Sequence, residues 1–198
     1  MKQVIVIHGG ATFSDYENYL HHLRTRPITV ERLKYRPHWK ERLQEDLGDN
    51  YEVLLPSMPN GTNARYSEWK LWFENLANVI TDDCILIGHS LGGIFLAKYL
   101  SENTFPSKIK GTILIAAPHS DESQEDLGDF KLDKMSEQFS LQAGKVTLFF
   151  GEDDPVIAAI EIEKYRQDLP NADFRIISAP DHFVRPVFPE LLELIQSI

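Results

Sequence analysis

Residues 83–93 read Asp83-Cys84-Ile85-Leu86-Ile87-Gly88-His89-Ser90-Leu91-Gly92-Gly93, and this stretch decides the fold. Cys84 to Ile87 is an apolar run of strand type, and a helical pattern follows the glycines. Between them the chain must turn very tightly, with Ser90 at the tip. A serine there is forced into strained backbone geometry, so the positions two before and two after it must lack a β-carbon or strand and helix would collide. Gly88 and Gly92 occupy those positions. The turn pushes the Ser90 hydroxyl out above the sheet. The helix beginning at Leu91 points its free N–H groups and positive dipole end at any negative charge forming beside it, which suits an acyl-transfer oxyanion. A G-x-S-x-G pattern can be a mere glycine-rich turn; its place between a strand and a helix marks this one as a nucleophile elbow.

Outward from this turn, strand and helix patterns alternate. Val4 to Ile7 reads as a buried parallel strand ending at His8-Gly9-Gly10. Residues 11–38 are polar, aromatic and basic, broken by Pro27 and Pro37, and read as a loop with one short helix near Asp15 to Leu23. Trp39 to Leu47 has helical spacing and stops at Gly48; Tyr51 to Leu55 reads as a strand stopped by Pro56. After the turn-rich Pro56 to Gly61, Ser67 is read as the cap of a helix whose core side carries Trp69, Trp72, Phe73, Leu76 and Ile80. Further strands are expected at Thr112–Ala116, Lys145–Phe150 and Phe174–Ile177. Helices are expected from Leu91 to about Leu100, at Leu132–Phe139, Val156–Leu169 and Pro189–Ile198. Such alternation implies an α/β fold: a three-layer α/β/α sandwich with a mostly parallel central sheet and all strand C-termini at one edge, where ligands bind.

Composition bounds the possibilities. The 198 residues, 42% hydrophobic, suffice for one sizeable core, so a single domain over 1–198 is expected, with 11–38 as an insertion near the functional edge and no room for a large cap. No apolar run approaches bilayer length, and Met1 leads into Val4-Ile5-Val6-Ile7 without a charged leader, so a cytoplasmic protein without membrane attachment is expected. A net charge of −10 argues against a nucleic-acid partner. The charge is uneven: Arg24, Arg26, Arg32, Lys34, Arg36, Lys40 and Arg42 face only Glu31 and Glu41 in their stretch, while Asp121, Glu122, Glu125, Asp126 and Asp129 cluster later. These read as two solvated faces rather than a docked pair. The single cysteine, Cys84, rules out an intrachain disulfide or a cysteine metal cluster and reads as a buried structural thiol.

A serine hydroxyl becomes a useful nucleophile only when a base takes its proton and a third group holds that base in the right tautomer. Of the seven histidines, chain order Ser, acid, His selects His182, which follows the last strand; His119, after a middle strand, is the fallback. The acid comes from Asp153 or Asp154 in Gly151-Glu152-Asp153-Asp154-Pro155. The oxyanion donors are expected to be the backbone N–H of Leu91 and one from the turn after the first strand, Gly10.

At this point the chain resembles the α/β-hydrolase superfamily, and more narrowly the small lidless serine hydrolases of the YdeN and retinoblastoma-binding-protein-9 group. The resemblance rests on HGG at His8 to Gly10, Trp39 leading its helix, LPSMPN at Leu55 to Asn60 with Trp69 in the next helix, DDCILIGHSLGG at Asp82 to Gly93, GEDDPVI at Gly151 to Ile157 and DHF at Asp181 to Phe183. It implies Ser90 as nucleophile, His182 as base and Asp154, the residue before the proline, as acid. The chain departs from the group in its long segment between Gly10 and Trp39, and in Asp181, where a small residue is usual; a carboxylate facing the ring there would raise the basicity of His182.

The expectation is a serine hydrolase of carboxylesterase type, acting on a small acyl ester through an acyl-enzyme, with no cofactor, no metal and a small-molecule substrate. Two alternatives use the same chain. One is a thioesterase or peptidase with the same triad; the other is a protein-interaction module on a hydrolase fold with weak or vestigial activity.

Overall fold

The computed structural model describes the chain apart from residues 121 and 123–125 and the side chain of Arg32. The apolar runs form one parallel sheet from β1 (Lys2–Ile7), β2 (Tyr51–Leu54), β3 (Cys84–His89), β4 (Ile109–Ile115), β5 (Lys145–Gly151) and β6 (Asp173–Ile177). Its order is β2-β1-β3-β4-β5-β6. Every residue of β3 is buried, as a strand covered on both faces requires.

Around the sheet lie α1 (Tyr16–Thr25), α2 (Val30–Leu33), α3 (Trp39–Leu47), α4 (Tyr66–Ala77), α5 (Leu91–Glu102), α6 (Glu137–Gln142), α7 (Ala159–Asp168) and α8 (Pro189–Ser197). Successive strand residues point to opposite faces. In β5, Phe149 meets Phe188, just before α8, with ring centroids 5.0 Å apart, whereas Phe150 meets Tyr165 of α7 at 6.0 Å. Helices therefore cover both faces, giving the three-layer α/β arrangement expected from the alternating pattern. On the α8 side Trp39 of α3 packs edge-on against Phe188 at 6.0 Å. Elsewhere α4 and α5 interlock through Trp69 and Phe95 at 5.6 Å and Phe73 and Tyr99 at 4.9 Å. Truncating a fully buried aromatic such as Trp69 to alanine costs roughly 3–5 kcal/mol.

The register brings the strand ends level. Ile7 pairs with Gly88, His89 with Ile115, Ile115 with Phe149, and Gly151 with Ile177. The loops after β1, β3, β5 and β6 consequently open at one edge of the sheet.

Several local expectations are corrected. Trp69 is fully buried, but Trp72 is 44% exposed, because the apolar stripe of α4 is narrower than its composition suggests. Ser67 is not the cap of α4: its N-cap position is Arg65, without a side-chain cap bond, and the distant Asp129 carboxylate accepts from Tyr66 N at 3.1 and 3.2 Å. The helix expected at 132–139 starts only at Glu137, after a 3-10 turn at Gly128–Phe130. The helix expected from Val156 starts at Ala159, because Val156 N and Ile157 N are taken by the Asp154 side chain. Segment 11–38 holds a second helix, α2, with α1 capped by Asp15 accepting from Asn18 N at 2.8 Å.

Candidate active site

Ser90 stands between β3 and α5 with φ 54° and ψ −122°. This positive φ costs an L-residue roughly 1–3 kcal/mol and persists only where its surroundings over-determine it. They do. Ser90 N donates to Ile115 O at 2.8 Å, and Ser90 O accepts from Gly93 N at 2.8 Å. A β-carbon at Gly88 would overlap the carbonyl of Gly92, and one at Gly92 would overlap the carbonyls of Ile7 and His8. The two glycines are thus needed for the close approach the sequence implied. Leu91 is the first residue of α5, so its N–H has no partner within the helix.

The loop after β1 is clamped from outside. His8 Nε2 accepts the Met58 N–H at 2.9 Å, so the ring proton sits on Nδ1 and is donated to Gly9 O at 2.6 Å. Ala11 N donates to Gly61 O at 2.9 Å, and Ala64 N to Ala11 O at 2.8 Å. Trp69 holds the other side of this clamp, its Nε1 donating to Pro59 O at 2.7 Å and its ring lying edge-on to His8 at 5.6 Å. The Pro56–Asn60 turn and the following tryptophan therefore act on Gly10. That glycine is pressed against Gly61 and Leu91: an added β-carbon would lie 2.6 Å from Gly61 O and 3.3 Å from Leu91 Cδ2.

His182 and Asp154 are brought together. His182 Nδ1 lies 2.8 and 3.0 Å from the two Asp154 carboxylate oxygens. The Asp154 side chain is fully buried and also accepts from Val156 N at 2.8 Å. His182 and Phe183 both have positive φ, 53° and 56°. The other ring nitrogen of His182, Nε2, is buried and has no hydrogen-bond partner among the described residues. Asp153 points elsewhere, accepting from Ala179 N at 2.7 Å and Ser178 Oγ at 3.1 Å. Asp181 does not face the ring either. Arg185 holds its carboxylate at 2.7 and 3.1 Å, and Phe183 N donates to it at 3.1 Å. Burial pushes its pKa up, but these partners outweigh that and leave it below the usual carboxylate range. The fallback histidine, His119, bonds Asp168 through Nε2 at 2.9 Å.

The elbow and the His182 loop meet through His89, whose Nε2 lies 2.9 Å from His182 O and whose ring centroid is 5.2 Å from that of His182. A cleft of about 340 Å³ opens next to Leu91 and Val156, the residue after Ser90 and the second after Asp154, and is lined also by Gly10, Phe13, His22 and Asp126 among others. Phe13 and His22 come from segment 11–38, which thus forms one wall. Asp126 of the acidic cluster docks on that wall rather than lying on a separate solvated face: it accepts from Ser14 N at 2.7 Å, and within its own loop from Gly128 N at 2.9 Å. Asp121 and Glu125 of the acidic cluster lie outside the described residues.

Cys84 is buried, its thiol pushed up to about 12 chiefly by burial. Among the described residues, no group of three or more His, Cys, Asp and Glu side chains could hold a metal ion, and no helix is long and apolar enough to cross a membrane. The sequence reading named His8, Gly61 and Lys40 but not the contacts they make here. For the first two the signal was present, in the histidine before the glycine pair and the glycine closing the Pro56–Gly61 turn. Lys40 carried none, since it stands in a basic stretch that reads as solvated.

A family model described as serine hydrolase matches residues 34–183. No curated protein matches the chain in sequence. Among solved structures, the ydeN gene product from B. subtilis superposes with a TM-score of 0.74 at 18% identity, covering 100% of this chain and 98% of that one. A putative yden-like hydrolase from Pectobacterium atrosepticum gives 0.61 at 13% identity, covering 98% and 90%. A thioesterase domain from the curacin biosynthetic pathway gives 0.66 at 13% identity, covering 100% and 91%.

Proposed function

The chain belongs to the serine hydrolase family, and from that premise we propose that it cleaves small acyl esters through a Ser90–His182–Asp154 triad and an acyl-enzyme. The observation that carries this reading is the state of the His182 ring: Nδ1 is held by a buried carboxylate, while Nε2 is buried and unspent, on a loop bonded to the residue before Ser90. When neutral, a ring that donates Nδ1–H to a carboxylate presents an unprotonated Nε2, the form a general base requires.

In the proposed reaction Ser90 Oγ attacks the acyl carbon while His182 Nε2 takes its proton. The carbonyl oxygen becomes an oxyanion, held by the N–H groups of Leu91 and Gly10; one such donor contributes roughly 3 kcal/mol in comparable sites. Collapse expels the alcohol, protonated by His182, and leaves the acyl group on Ser90. Water, deprotonated by His182, then attacks the acyl-enzyme and frees the acid. Asp154 keeps the ring oriented and stabilises the transient imidazolium. The cleft of about 340 Å³, with Phe13 and Val156 on its walls, suits a short acyl group.

Labelling by a fluorescent fluorophosphonate, with p-nitrophenyl acetate and butyrate hydrolysis alongside, tests the reading. Wild type should label and turn over, and Ser90→Ala should do neither. A folded wild type that does neither would sink it and favour the interaction-module alternative. Matched oxygen-ester, thioester and peptide substrates then decide the leaving group.

A further inference from the structure

Lys40, in the first turn of α3, is partly buried and has no carboxylate partner among the described residues. The nearby acids are committed elsewhere: Glu41 to the Tyr35 hydroxyl at 2.5 Å, and Asp181 to Arg185. Its Nζ lies instead 2.9 Å from Nδ1 of His89 and over the Trp39 ring at 5.5 Å. His89 is itself buried, spanning from Lys40 on one ring nitrogen to the His182 carbonyl on the other, 2.9 Å away. A carbonyl only accepts, so His89 Nε2 must carry a proton. Burial first, then the charge of Lys40, hold this imidazole well below its ordinary pKa, so the ring is neutral and its Nδ1 must accept. Lys40 is the donor that satisfies it.

We propose that Lys40 is a positioning residue for His182: by donating to His89 Nδ1 it fixes the tautomer whose Nε2–H grips the His182 carbonyl and holds that loop against the elbow. The proposal rests on reading His182 as the general base. The grip falls where the backbone is least comfortable, on two successive residues with positive φ, so its loss should let the loop relax and the base move. Removing the donor from Lys40 leaves His89 free to place its proton on Nδ1, and the grip is lost.

A second consequence concerns charge. Burial lowers the Lys40 pKa to about 7. The groups around it are His38 and Glu41 on α3, His89 at the elbow, and Asp181, His182 and Arg185 on the last loop; His38, pushed down to about 4 by burial and by Lys40, adds no charge near neutrality. Below pH 7 an ammonium therefore lies one imidazole away from a ring that must become imidazolium, and turnover should fall as Lys40 gains its proton.

Nitrogen-15 spectra of the histidine rings in wild-type protein, with His89 assigned by its loss in His89→Gln, test the wiring without any substrate. An Nε2–H tautomer at His89 is expected, and an Nδ1–H tautomer would overturn the proposal. In kinetics on p-nitrophenyl acetate, Lys40→Met should lower kcat about tenfold with KM within about twofold, as for one lost hydrogen bond. The acid limb of kcat should flatten in the same variant. In a His89→Gln background Lys40→Met should change kcat by less than about twofold. Wild-type kcat in Lys40→Met, or an equal loss in both backgrounds, would overturn the proposal while leaving the hydrolase reading intact. A wild type inert to fluorophosphonate and ester would instead overturn the hydrolase reading, and the ring spectra would still decide the wiring.

Discussion

Among the described residues, two histidine–carboxylate pairs have nearly equal geometry. His182 meets Asp154 at 2.8 Å, and His119 meets Asp168 at 2.9 Å. Each pair leaves one buried ring nitrogen without a partner among the described residues. They differ in which nitrogen is spent and on what it opens. His182 commits Nδ1 and leaves Nε2, on a loop whose carbonyl is bonded to His89, the residue before Ser90. His119 commits Nε2 and leaves Nδ1 close to its own backbone, with its ring edge-on to Tyr165 at 4.9 Å. Asp168 also accepts from Met135 N at 2.8 Å, and the neighbouring Ser120 hydroxyl lies between Glu161 at 3.0 Å and Lys164 at 2.6 Å. The second pair stitches loops to α7. A His–Asp hydrogen bond therefore says little about chemistry until the free nitrogen is located.

This contrast can be broken by experiment. The largest effect is expected from His182→Gln, which should lower kcat for p-nitrophenyl acetate by about 10⁵–10⁶-fold, as removal of a triad histidine does elsewhere. His119→Gln should stay within about threefold of wild type, and a comparable loss there would erase the distinction. Next, Asp154→Asn should cost about 10⁴-fold by allowing the wrong tautomer. Asp153→Asn should cost less than about tenfold, because Asp153 bonds Ala179 N and Ser178 rather than the ring. Third, Asp168→Ala should leave turnover nearly intact but lower stability by about 1–3 kcal/mol in urea titration, since Met135 N and His119 lose their acceptor.

The smallest effect sharpens the contrast from the His182 side. Lys40 titrates near 7 in the folded chain against 10.5 as its ordinary value. Between those values the unfolded chain binds a proton that the folded chain does not, so this group makes stability rise with pH across that window and adds no slope below it. The stability difference between wild type and Lys40→Met should therefore move in favour of wild type by about 1 kcal/mol or more between about pH 7.5 and 9.5. A flat difference would mean that Lys40 is solvated.

Much of this was legible in the chain. The strands were, because parallel buried strands have no polar alternation to blur them. The elbow was, because only glycine permits the approach of α5 to β3. The choice of Asp154 over Asp153 came from the resemblance alone: both follow the same strand, and the folded loop shows that the Asp154 carboxylate meets the ring. Trp72 and Ser67 misled for a related reason. Helical spacing indicates an apolar stripe but not its width, and an amide can be capped by a residue 63 positions away, as Asp129 caps Tyr66 N. Lys40 was illegible because a lysine in a basic stretch carries no mark of burial.

Segment 11–38 is tied to the rest of the chain at both its start and its end. At its start, Thr12 Oγ1 donates to Ala64 O at 2.9 Å and Arg65 Nη1 to Phe13 O at 2.7 Å. At its end, Trp39 N donates to Arg185 O at 2.7 Å. Between them α1 contributes no buried residue, yet its His22 reaches the cleft wall. The loop after β1 is clamped where this segment starts, at Ala11, and the His182 loop is braced beyond its end. His38, by contrast, caps Lys40 N and lies edge-on to His89 at 5.7 Å, so it is on the exposed faces of α1 that a lineage or a designer can retune the cleft wall while leaving both loops as they are.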